Sequence, residues 1–242
     1  MLHRARAFDR RLQKAKAVAA PEGFPWYPYD SLANVKLLTK LLTGDNRRLL
    51  RLVPSGIVAD VGAADGDLAF FLESLGLQVD IIDYPRYNFN QLEGVRRLAK
   101  HLRSLVSVIE VDLDENFALP RERYDLVFFL GLLYHLKNPY AAMEKLSQKA
   151  RHVVLSTRVA RFAEGVAIDR VPVAYLLAPF EANNDSTNYW IFSTKGLRRL
   201  FDRCGWDVLD WTHFGETRQS NPVDPNHDER VFCLLRSRVW DR

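Results

Sequence analysis

The sequence alternates between short apolar runs and longer segments in which apolar residues recur every three or four positions. The apolar runs predict strands at residues 56–61, 78–83, 106–112, 124–130, 151–157, 206–212 and 229–236. The periodic segments predict helices at residues 66–75, 89–103, 138–149 and 194–204. This alternation is typical of a doubly wound sheet, and two final strands joined without a helix predict an antiparallel edge. We therefore predict an α/β fold with a seven-stranded, mostly parallel sheet and helices on both faces.

Two further segments lie outside this alternation. At the N-terminal end, apolar residues at helical spacing and the proline- and aromatic-rich loop Pro21–Tyr29 predict a helical cap over residues 1–52, covering the turn after the first strand. In the main domain, residues 53–242, the pattern breaks from Arg161 to about Phe192. We expect an insertion at about 159–192 that covers the substrate, although a purely structural cover would look the same.

Composition narrows the class of protein. With 242 residues, 48% of them hydrophobic, the chain is long enough for one packed domain with attachments. No apolar stretch reaches the length of a membrane span and the N-terminal residues include no signal core, so we expect a cytoplasmic protein without membrane contacts. Cys204 and Cys233 are expected to be reduced and buried, and no metal-binding cluster is predicted.

The net charge of +4 has a local origin. Much of the basic excess belongs to the predicted N-terminal helix, at Arg4, Arg6, Arg10, Arg11, Lys14 and Lys16. Such a cluster invites nucleic acid or an acidic substrate, but it also fits the solvated face of an amphipathic helix. Both interpretations stay open at this stage.

Small residues dominate the turn after the first strand. Asp60 is followed by Gly62, Ala63, Ala64 and Gly66, directly before the predicted helix. Glycine and alanine allow the backbone to approach a ligand closely, and the first amides of a helix are free to donate. This pattern predicts a nucleotide-binding turn, although an ordinary strand-to-helix turn is the simpler alternative.

A second acid strengthens the nucleotide prediction. Asp83 ends the next strand seventeen residues after Gly66, close to the spacing at which a carboxylate reaches ribose hydroxyls. The glycine spacing does not match the dinucleotide fingerprint, and Asp60 would repel a pyrophosphate. An NAD-dependent oxidoreductase is therefore the weakest interpretation.

These residues resemble motif I of the class I S-adenosylmethionine-dependent methyltransferases, an acid followed by three glycines at alternate positions, with Ala64 in place of the middle glycine. The resemblance implies a Rossmann-like class I methyltransferase fold and S-adenosylmethionine as cofactor. It implies that Asp60 faces the methionine end of the donor, that Asp83 binds the ribose, and that Asp112 and the amide of Leu113 meet the adenine. Asp112 could equally cap the following turn. The donor contacts implied in all are Asp60, Gly62, Ala63, Ala64, Gly66, Asp83, Tyr84, Asp112, Leu113 and Leu130.

The run after the fourth strand carries the candidate catalytic residues. It places Gly131, Tyr134 and His135 at the carboxyl edge of the sheet, where ligands of open α/β sheets bind. His135 could take a proton from a hydroxyl or amine nucleophile, because its ordinary pKa lies near neutrality. The alternative is a structural histidine bonded to backbone at the start of a helix.

A narrower resemblance extends over residues 45–238. Phe128-x-x-Gly131-x-Leu133-Tyr134-His135, the segment from Gln91 to Leu98, and Asn188-Tyr189-Trp190 resemble proteins related to the tRNA wobble-uridine 5-oxyacetic acid carboxymethyltransferases. In that family a tyrosine and an arginine, matched here by Tyr134 and Arg230, hold the carboxylate of carboxy-S-adenosylmethionine. The family also has a loop lysine for this carboxylate, whereas Pro21–Tyr29 contains none.

The functional prediction is an S-adenosylmethionine-dependent methyltransferase acting on oxygen or nitrogen of a polar acceptor, with acidic acceptors included among the candidates. His135 and Tyr134 are the candidate catalytic residues, and Tyr134, Asn188, Trp190 and Arg230 are expected to contact the acceptor. A small-molecule acceptor is preferred, with tRNA as the second candidate and carboxymethyl transfer as the alternative reaction. A third interpretation is a non-catalytic nucleoside- or RNA-binding module.

Overall fold

The computed structural model describes residues 1–44, 48–115 and 117–240, so residues 45–47 of the predicted cap lie outside the described residues. The chain forms two compact units. The first comprises Met1–Asp112 and Ala118–Phe128, and the second comprises Leu113–Phe117 and Phe129–Arg242. The boundary crosses the strand Tyr124–Leu130, which therefore contributes residues to both units.

The first unit contains the nucleotide-binding turn and the strands around it. Its helices are α1 (Leu2–Ala19), α2 (Asn34–Leu41), α3 (Asp67–Glu73) and α4 (Glu93–Leu102). Its strands are β1 (Ile57–Val61), β2 (Gln78–Asp83), β3 (Ser107–Glu110) and β4 (Tyr124–Leu130). They lie in the order β4-β1-β2-β3, and β2 pairs in parallel with both β1 and β3. The carboxyl ends of β1 and β2 therefore lie side by side.

Packing in this unit explains why these segments fold as they do. Strands β1 and β2 are nearly continuous runs of buried residues, and α3 packs on them with the side chains of residues 67–72 buried. Helix α1 packs against α3 and α4, and its residues Ala5, Leu12 and Ala15 are buried. Its apolar stripe thus predicted the buried face correctly.

One helix begins later than its periodicity predicts. The predicted helix 89–103 starts only at Glu93, because the Asn88 Oδ1 atom accepts hydrogen bonds from the amides of Asn90 and Leu92. Gln91 and Leu92 adopt left-handed conformations, with φ of 57° and 66°. A side chain that satisfies backbone amides in this way competes with the helix.

The second unit contains the antiparallel edge of the sheet. Its helices are α5 (Pro139–Lys149) and α6 (Thr194–Arg203). Its long strands are β5 (Ala150–Ala160), β10 (Trp206–Gly215) and β11 (Glu229–Ser237), in the order β10-β11-β5-β4. Strand β11 is antiparallel to both of its neighbours. All seven predicted strands are present, and the predicted mostly parallel Rossmann-like sheet with an antiparallel edge is confirmed.

The segment predicted to be irregular contains short strands. These are β6 (Phe162–Ala163), β7 (Val166–Ala167), β8 (Ala174–Leu176) and β9 (Trp190–Ser193). Strand β9 pairs in parallel with the end of β5, where Val159 lies opposite Phe192. Strands of two to four residues are too short to produce a visible alternation, so the prediction of an irregular stretch was wrong here.

Candidate functional site

The turn after β1 has the backbone that a close ligand approach requires. Gly62, Ala64 and Gly66 all have positive φ values, of 70°, 52° and 79°. A Cβ atom at Gly66 would lie 3.0 Å from Ile81 Cδ1, so a side chain there would require Ile81 to shift, and the positive φ disfavours a side chain as well. Ala64 takes a left-handed conformation that glycine adopts more readily, which explains why the resembling motif has glycine there. Ala63 is buried, and its carbonyl accepts the Gly66 amide at 2.8 Å.

Asp60 is buried at the end of β1 with only 4% of its surface exposed. Burial raises the pKa of this carboxyl group to about 7, and the neighbouring charge of Asp83 raises it further, while a hydrogen bond from the Ala69 amide opposes the shift. A buried carboxylate in this state is stabilised by any cation brought close to it. The ammonium and sulfonium groups of S-adenosylmethionine are such cations, so Asp60 fits the methionine end of the donor.

Asp83 ends β2 and is held in place by two donors. The Tyr84 amide donates to Oδ1 at 2.7 Å, and Asn88 Nδ2 donates to Oδ2 at 2.9 Å. The same Asn88 amide group also reaches the Ala64 carbonyl at 3.1 Å, and thus joins Asp83 to the turn. Each carboxylate oxygen keeps acceptor capacity for a ribose hydroxyl. Sequence reasoning missed Asn88, whose signal was the polar segment directly after the second strand.

Hydrogen bonds and an ion pair of Asp65 join the N-terminal residues to the turn after β1. Its carboxylate accepts hydrogen bonds from the Tyr27 amide and from Asn90 Nδ2, each at 2.7 Å. Lys16 Nζ lies 3.4 Å from Asp65 and 2.9 Å from Asp67. Lys16 is buried, so its predicted place on a solvated basic face was wrong. Its ion pairs with Asp65 in the turn and Asp67 at the start of α3 offset its loss of hydration.

Gly94 makes room for this network. A Cβ atom there would lie 2.4 Å from Asp65 Oδ1 and 2.8 Å from Asn90 Nδ2. The Gly94 amide also donates to Asn90 Oδ1 at 3.0 Å. This contact is a physical reason for the glycine in the segment from Gln91 to Leu98.

The remaining residues that we predict to contact S-adenosylmethionine lie near the ends of strands. Strand β3 ends at Glu110, so Asp112 lies two residues beyond it, and not at its end as predicted. Asp112 and Leu113 are half-buried in the turn that follows, and Leu130 is the half-buried last residue of β4. Their contacts with the adenine stay predictions.

In the second unit, Tyr134 and Arg230 lie together. Arg230 Nη1 donates to the Tyr134 hydroxyl at 3.3 Å, and the guanidinium carbon lies 5.6 Å from the centre of the tyrosine ring. Tyr134 is buried in the short 3₁₀ helix Leu133–His135, while Arg230 is the second residue of β11. A cation and a hydroxyl donor therefore stand side by side.

His135 ends the same 3₁₀ helix and is bonded to the predicted lid. Its Nδ1 atom lies 3.1 Å from the Thr187 carbonyl oxygen and 3.0 Å from Thr187 Oγ1. Because Thr187 Oγ1 donates its own proton to Asp185 Oδ1 at 2.6 Å, this network assigns the imidazole proton to Nδ1. The Nε2 atom is then an acceptor. Burial lowers the pKa of His135, the Arg230 charge lowers it as well, and Asp185 and the Thr187 carbonyl oppose the shift.

Hydrogen bonds of Asn188 and Trp190 hold the start of β9 and the residues before it in place. Asn188 is buried and its Nδ2 atom donates to the Ala182 carbonyl at 3.0 Å, within the segment itself. Trp190 Nε1 donates to the Lys137 carbonyl at 3.2 Å. Their side-chain donors are thus bonded to backbone, and their contact with an acceptor stays a prediction.

Two further sequence predictions concern cysteine and metal. Cys204 and Cys233 are both buried with free thiols. Among the described residues, no group of histidine, cysteine and acidic side chains could hold a metal ion. No helix in the described part of the chain is long and apolar enough to cross a membrane.

Comparison with known proteins places the fold in a family. Residues 18–210 match the family model described as a methyltransferase domain. A comparison with curated proteins found no match.

Among solved structures, the N-terminal domain of EvdMO1, crystallised in the presence of S-adenosylhomocysteine and D-fucose, is 16% identical. Its TM-score is 0.62, and the match covers 95% of this chain and 97% of that one. The [4+2]-cyclase SpnF is 14% identical with a TM-score of 0.60, covering 94% and 92% of the two chains. A putative methyltransferase from Bacillus halodurans C-125 is 13% identical with a TM-score of 0.54, covering 74% and 91%.

The family match spans β1 with its acid, the small-residue turn and Asp83 at the end of β2, the features that fit S-adenosylmethionine. This chain belongs to the class I S-adenosylmethionine-dependent methyltransferases.

Proposed function

We propose that this enzyme methylates an oxygen or nitrogen atom of a polar small molecule and that His135 accepts the proton which that atom loses. The observation that carries the proposal is the chain of contacts from Asp185 through Thr187 to His135. It holds the imidazole ring and leaves Nε2 as the acceptor. A residue held in this way is suited to general-base catalysis.

Methyl transfer from S-adenosylmethionine requires few catalytic groups. S-adenosylmethionine supplies a methyl group on a positively charged sulfur, and the transfer is an in-line displacement that leaves a neutral thioether. The protein has to align the two reactants and accept one proton from a hydroxyl or amine nucleophile. In this proposal Asp60 binds the cationic end of the donor, Asp83 binds its ribose, and His135 Nε2 accepts the proton.

A small acceptor is proposed on two grounds. The segment bonded to His135 carries clustered polar side chains, and a lid of this kind suits a molecule that can be enclosed. The EvdMO1 domain, which shares this fold, was crystallised in the presence of D-fucose. Sugar hydroxyls are therefore among the acceptor groups that we propose to test.

Carboxymethyl transfer to tRNA is the second candidate. The contact between Arg230 and Tyr134 favours it, because these residues match the carboxylate partners of the carboxymethyltransferases. A groove of about 740 Å³ on the first unit is lined by several basic side chains and would suit a phosphate backbone. These are Arg10, Arg11, Lys14, His101 and Arg103.

Profiling a strain that lacks the gene separates the two candidates. The proposal expects an unmethylated small metabolite to accumulate while the modified nucleosides of tRNA stay unchanged. Loss of a wobble-uridine modification, with no change among small metabolites, would contradict methylation of a small molecule and support the second candidate.

We expect Asp83→Ala to weaken binding of S-adenosylmethionine by about 1.5–3 kcal/mol, because the ribose loses charge-assisted hydrogen bonds. Asn88→Ala should have a smaller effect in the same direction, since it only releases the Asp83 carboxylate from its second donor. Isothermal titration calorimetry measures both. Asp207→Ala, at an exposed ion pair with Arg236, is the control. Unchanged affinity in Asp83→Ala would remove Asp83 from the donor site.

A further inference from the structure

The loop formed by residues 21–29 is bonded to the first unit through its main chain. The Tyr27 amide donates to Asp65 Oδ2 at 2.7 Å, and Asn90 Nδ2 donates to the Pro25 carbonyl at 3.1 Å. The same Asn90 Nδ2 atom also donates to Asp65 Oδ1 at 2.7 Å. Asp65 and Asn90 therefore hold the loop at two points and hold each other.

The Asp65 side chain connects the loop to the turn after β1. Only 2% of its surface is exposed, so its hydrogen bonds are made with the protein. Asp65 lies between Ala64 and Gly66, whose φ values of 52° and 79° form the bend of the turn. A buried network whose members are satisfied makes the main chain around it rigid. The loop thus helps to fix the main chain that is expected to approach the donor.

A second connection leads from the loop to the acid at the end of β2. The Asn90 amide donates to Asn88 Oδ1 at 3.2 Å. Asn88 Nδ2 in turn donates to Asp83 Oδ2 at 2.9 Å. A continuous chain of hydrogen bonds therefore runs from the loop to the carboxylate that is expected to bind the ribose.

Lys16 fastens helix α1 to the same place. Its ammonium group lies 2.9 Å from Asp67 Oδ2, 3.4 Å from Asp65 Oδ2 and 5.3 Å from the centre of the Trp26 ring. Burial raises the pKa of Asp67, and the charge of Lys16 opposes this shift. Asp67 Oδ1 has no hydrogen-bond partner in the described part of the chain. Two buried acids thus depend on a cation that the N-terminal helix supplies.

We propose that Lys16, Asp65 and Asn90 form a latch through which the N-terminal residues control binding of the methyl donor, with Asp65 as a positioning residue. The closed latch holds the turn and Asp83 in the geometry that the donor requires, so opening the latch lowers donor affinity. The coupling is reciprocal, and bound donor stabilises the closed loop by the same factor. This inference rests on donor binding at this turn, and the proposed acceptor and the role of His135 do not enter it.

Calorimetry with S-adenosylhomocysteine tests the latch without knowledge of the acceptor. We expect Asp65→Ala to bind this ligand at least tenfold more weakly than wild type, because the turn loses the hydrogen bonds that connect it to the loop. Asp30→Ala is the matched control. Asp30 Oδ1 accepts from the Ala33 amide within the N-terminal segment itself, so this variant should bind within twofold of wild type.

Gly94→Ala tests the latch without removing any of its groups. A Cβ atom at this position would lie 2.4 Å from Asp65 Oδ1 and 2.8 Å from Asn90 Nδ2. Alanine is otherwise more favourable than glycine inside a helix. We expect Gly94→Ala to bind S-adenosylhomocysteine at least fivefold more weakly than wild type. If Asp65→Ala does not fold, this variant supplies the affinity test.

Amide hydrogen exchange measured by NMR separates a positioning role from a structural one. In wild type, saturating S-adenosylhomocysteine should slow exchange of the Tyr27 amide at least tenfold. In Asp65→Ala the Tyr27 amide should exchange rapidly with and without the ligand, while the amides of β1 keep their wild-type protection. A merely structural role of Asp65 would accelerate exchange in β1 as well.

Three results would count against the latch. Wild-type affinity for S-adenosylhomocysteine in folded Asp65→Ala or Gly94→Ala would overturn it and leave the donor site intact. Exchange of the wild-type Tyr27 amide that does not change on binding would overturn it too, and this measurement needs no variant. Absence of S-adenosylhomocysteine binding to the wild type would contradict the donor site itself, and with it both the latch and the proposed function.

Discussion

His135→Gln is expected to lower kcat for methyl transfer by about 100- to 10,000-fold, while the affinity for S-adenosylmethionine stays unchanged. The glutamine amide can keep a hydrogen bond to the lid, but it cannot accept a proton at neutral pH, and a positioned general base usually contributes this factor. Single-turnover kinetics measures the chemical step directly. His101→Gln, on the last turn of α4, is the matched control. A rate within threefold of wild type would rule out His135 as the base.

The pH profile gives a second readout that a structural role would not change. Because burial lowers the pKa of His135, the acid limb of kcat should lie below the ordinary histidine value, and the rate should be constant above it. The Asp185 carboxylate opposes this shift by raising the pKa. Asp185→Asn should therefore move the acid limb to still lower pH. An unmoved limb would argue that another group titrates.

Asp60→Asn is expected to weaken binding of S-adenosylmethionine by about 1.5–3 kcal/mol and to remove the pH dependence of binding. In wild type the cationic donor binds the ionised carboxylate, whose pKa in the free protein is about 7. Affinity should thus rise as pH rises through about 7, and binding below that pH should release a proton. Calorimetry in two buffers of different ionisation enthalpy measures this release. Proton release that persists in Asp60→Asn would assign it to another residue.

The same substitution should stabilise the free protein. The folded-state pKa of Asp60 is raised above its ordinary value of 3.8, so the stability that protonated Asp60 gives is fully present below 3.8 and is lost as pH rises to about 7. At pH 8 Asp60→Asn should therefore be more stable than wild type by up to about 2–4 kcal/mol, and the difference should vanish near pH 4. Urea unfolding at pH 4 and at pH 8 measures this difference in the free energy of unfolding. Equal stability at pH 8 would mean that the carboxylate is already compensated.

Local patterns predicted the parts of this molecule that local interactions decide. The alternation of apolar runs and periodic segments predicted every long strand. Binding of the methyl donor at the turn after β1 stays a prediction. The predicted roles of Tyr134 and Arg230 depended on a resemblance and stay predictions, while the structure shows the two side chains in contact. By contrast, the late start of α4 depends on hydrogen bonds of the Asn88 side chain, which periodicity does not report.

Prediction from the sequence failed mainly for charged residues whose partners are distant in the sequence. Lys16 looked like part of a solvated face because its partners, Asp65 and Asp67, are fixed by tertiary packing. Arg158 carries no signal in the sequence, since its position opposite Arg230 depends on the register of β5 and β11. Counting cations along the sequence therefore underestimated the positive charge beside Tyr134.

In the proposed reaction this protein moves a methyl group from S-adenosylmethionine to a polar small molecule. The most direct measurement incubates the purified enzyme with deuterium-labelled methyl donor and with cell extract separated into small-molecule, tRNA and protein fractions. Mass spectrometry then locates the label. We predict a labelled product in the small-molecule fraction that forms with wild type and is nearly absent with His135→Gln. Label found only in tRNA would contradict methyl transfer to a small molecule, and a small-molecule product formed equally by the two proteins would contradict the role of His135 as the base.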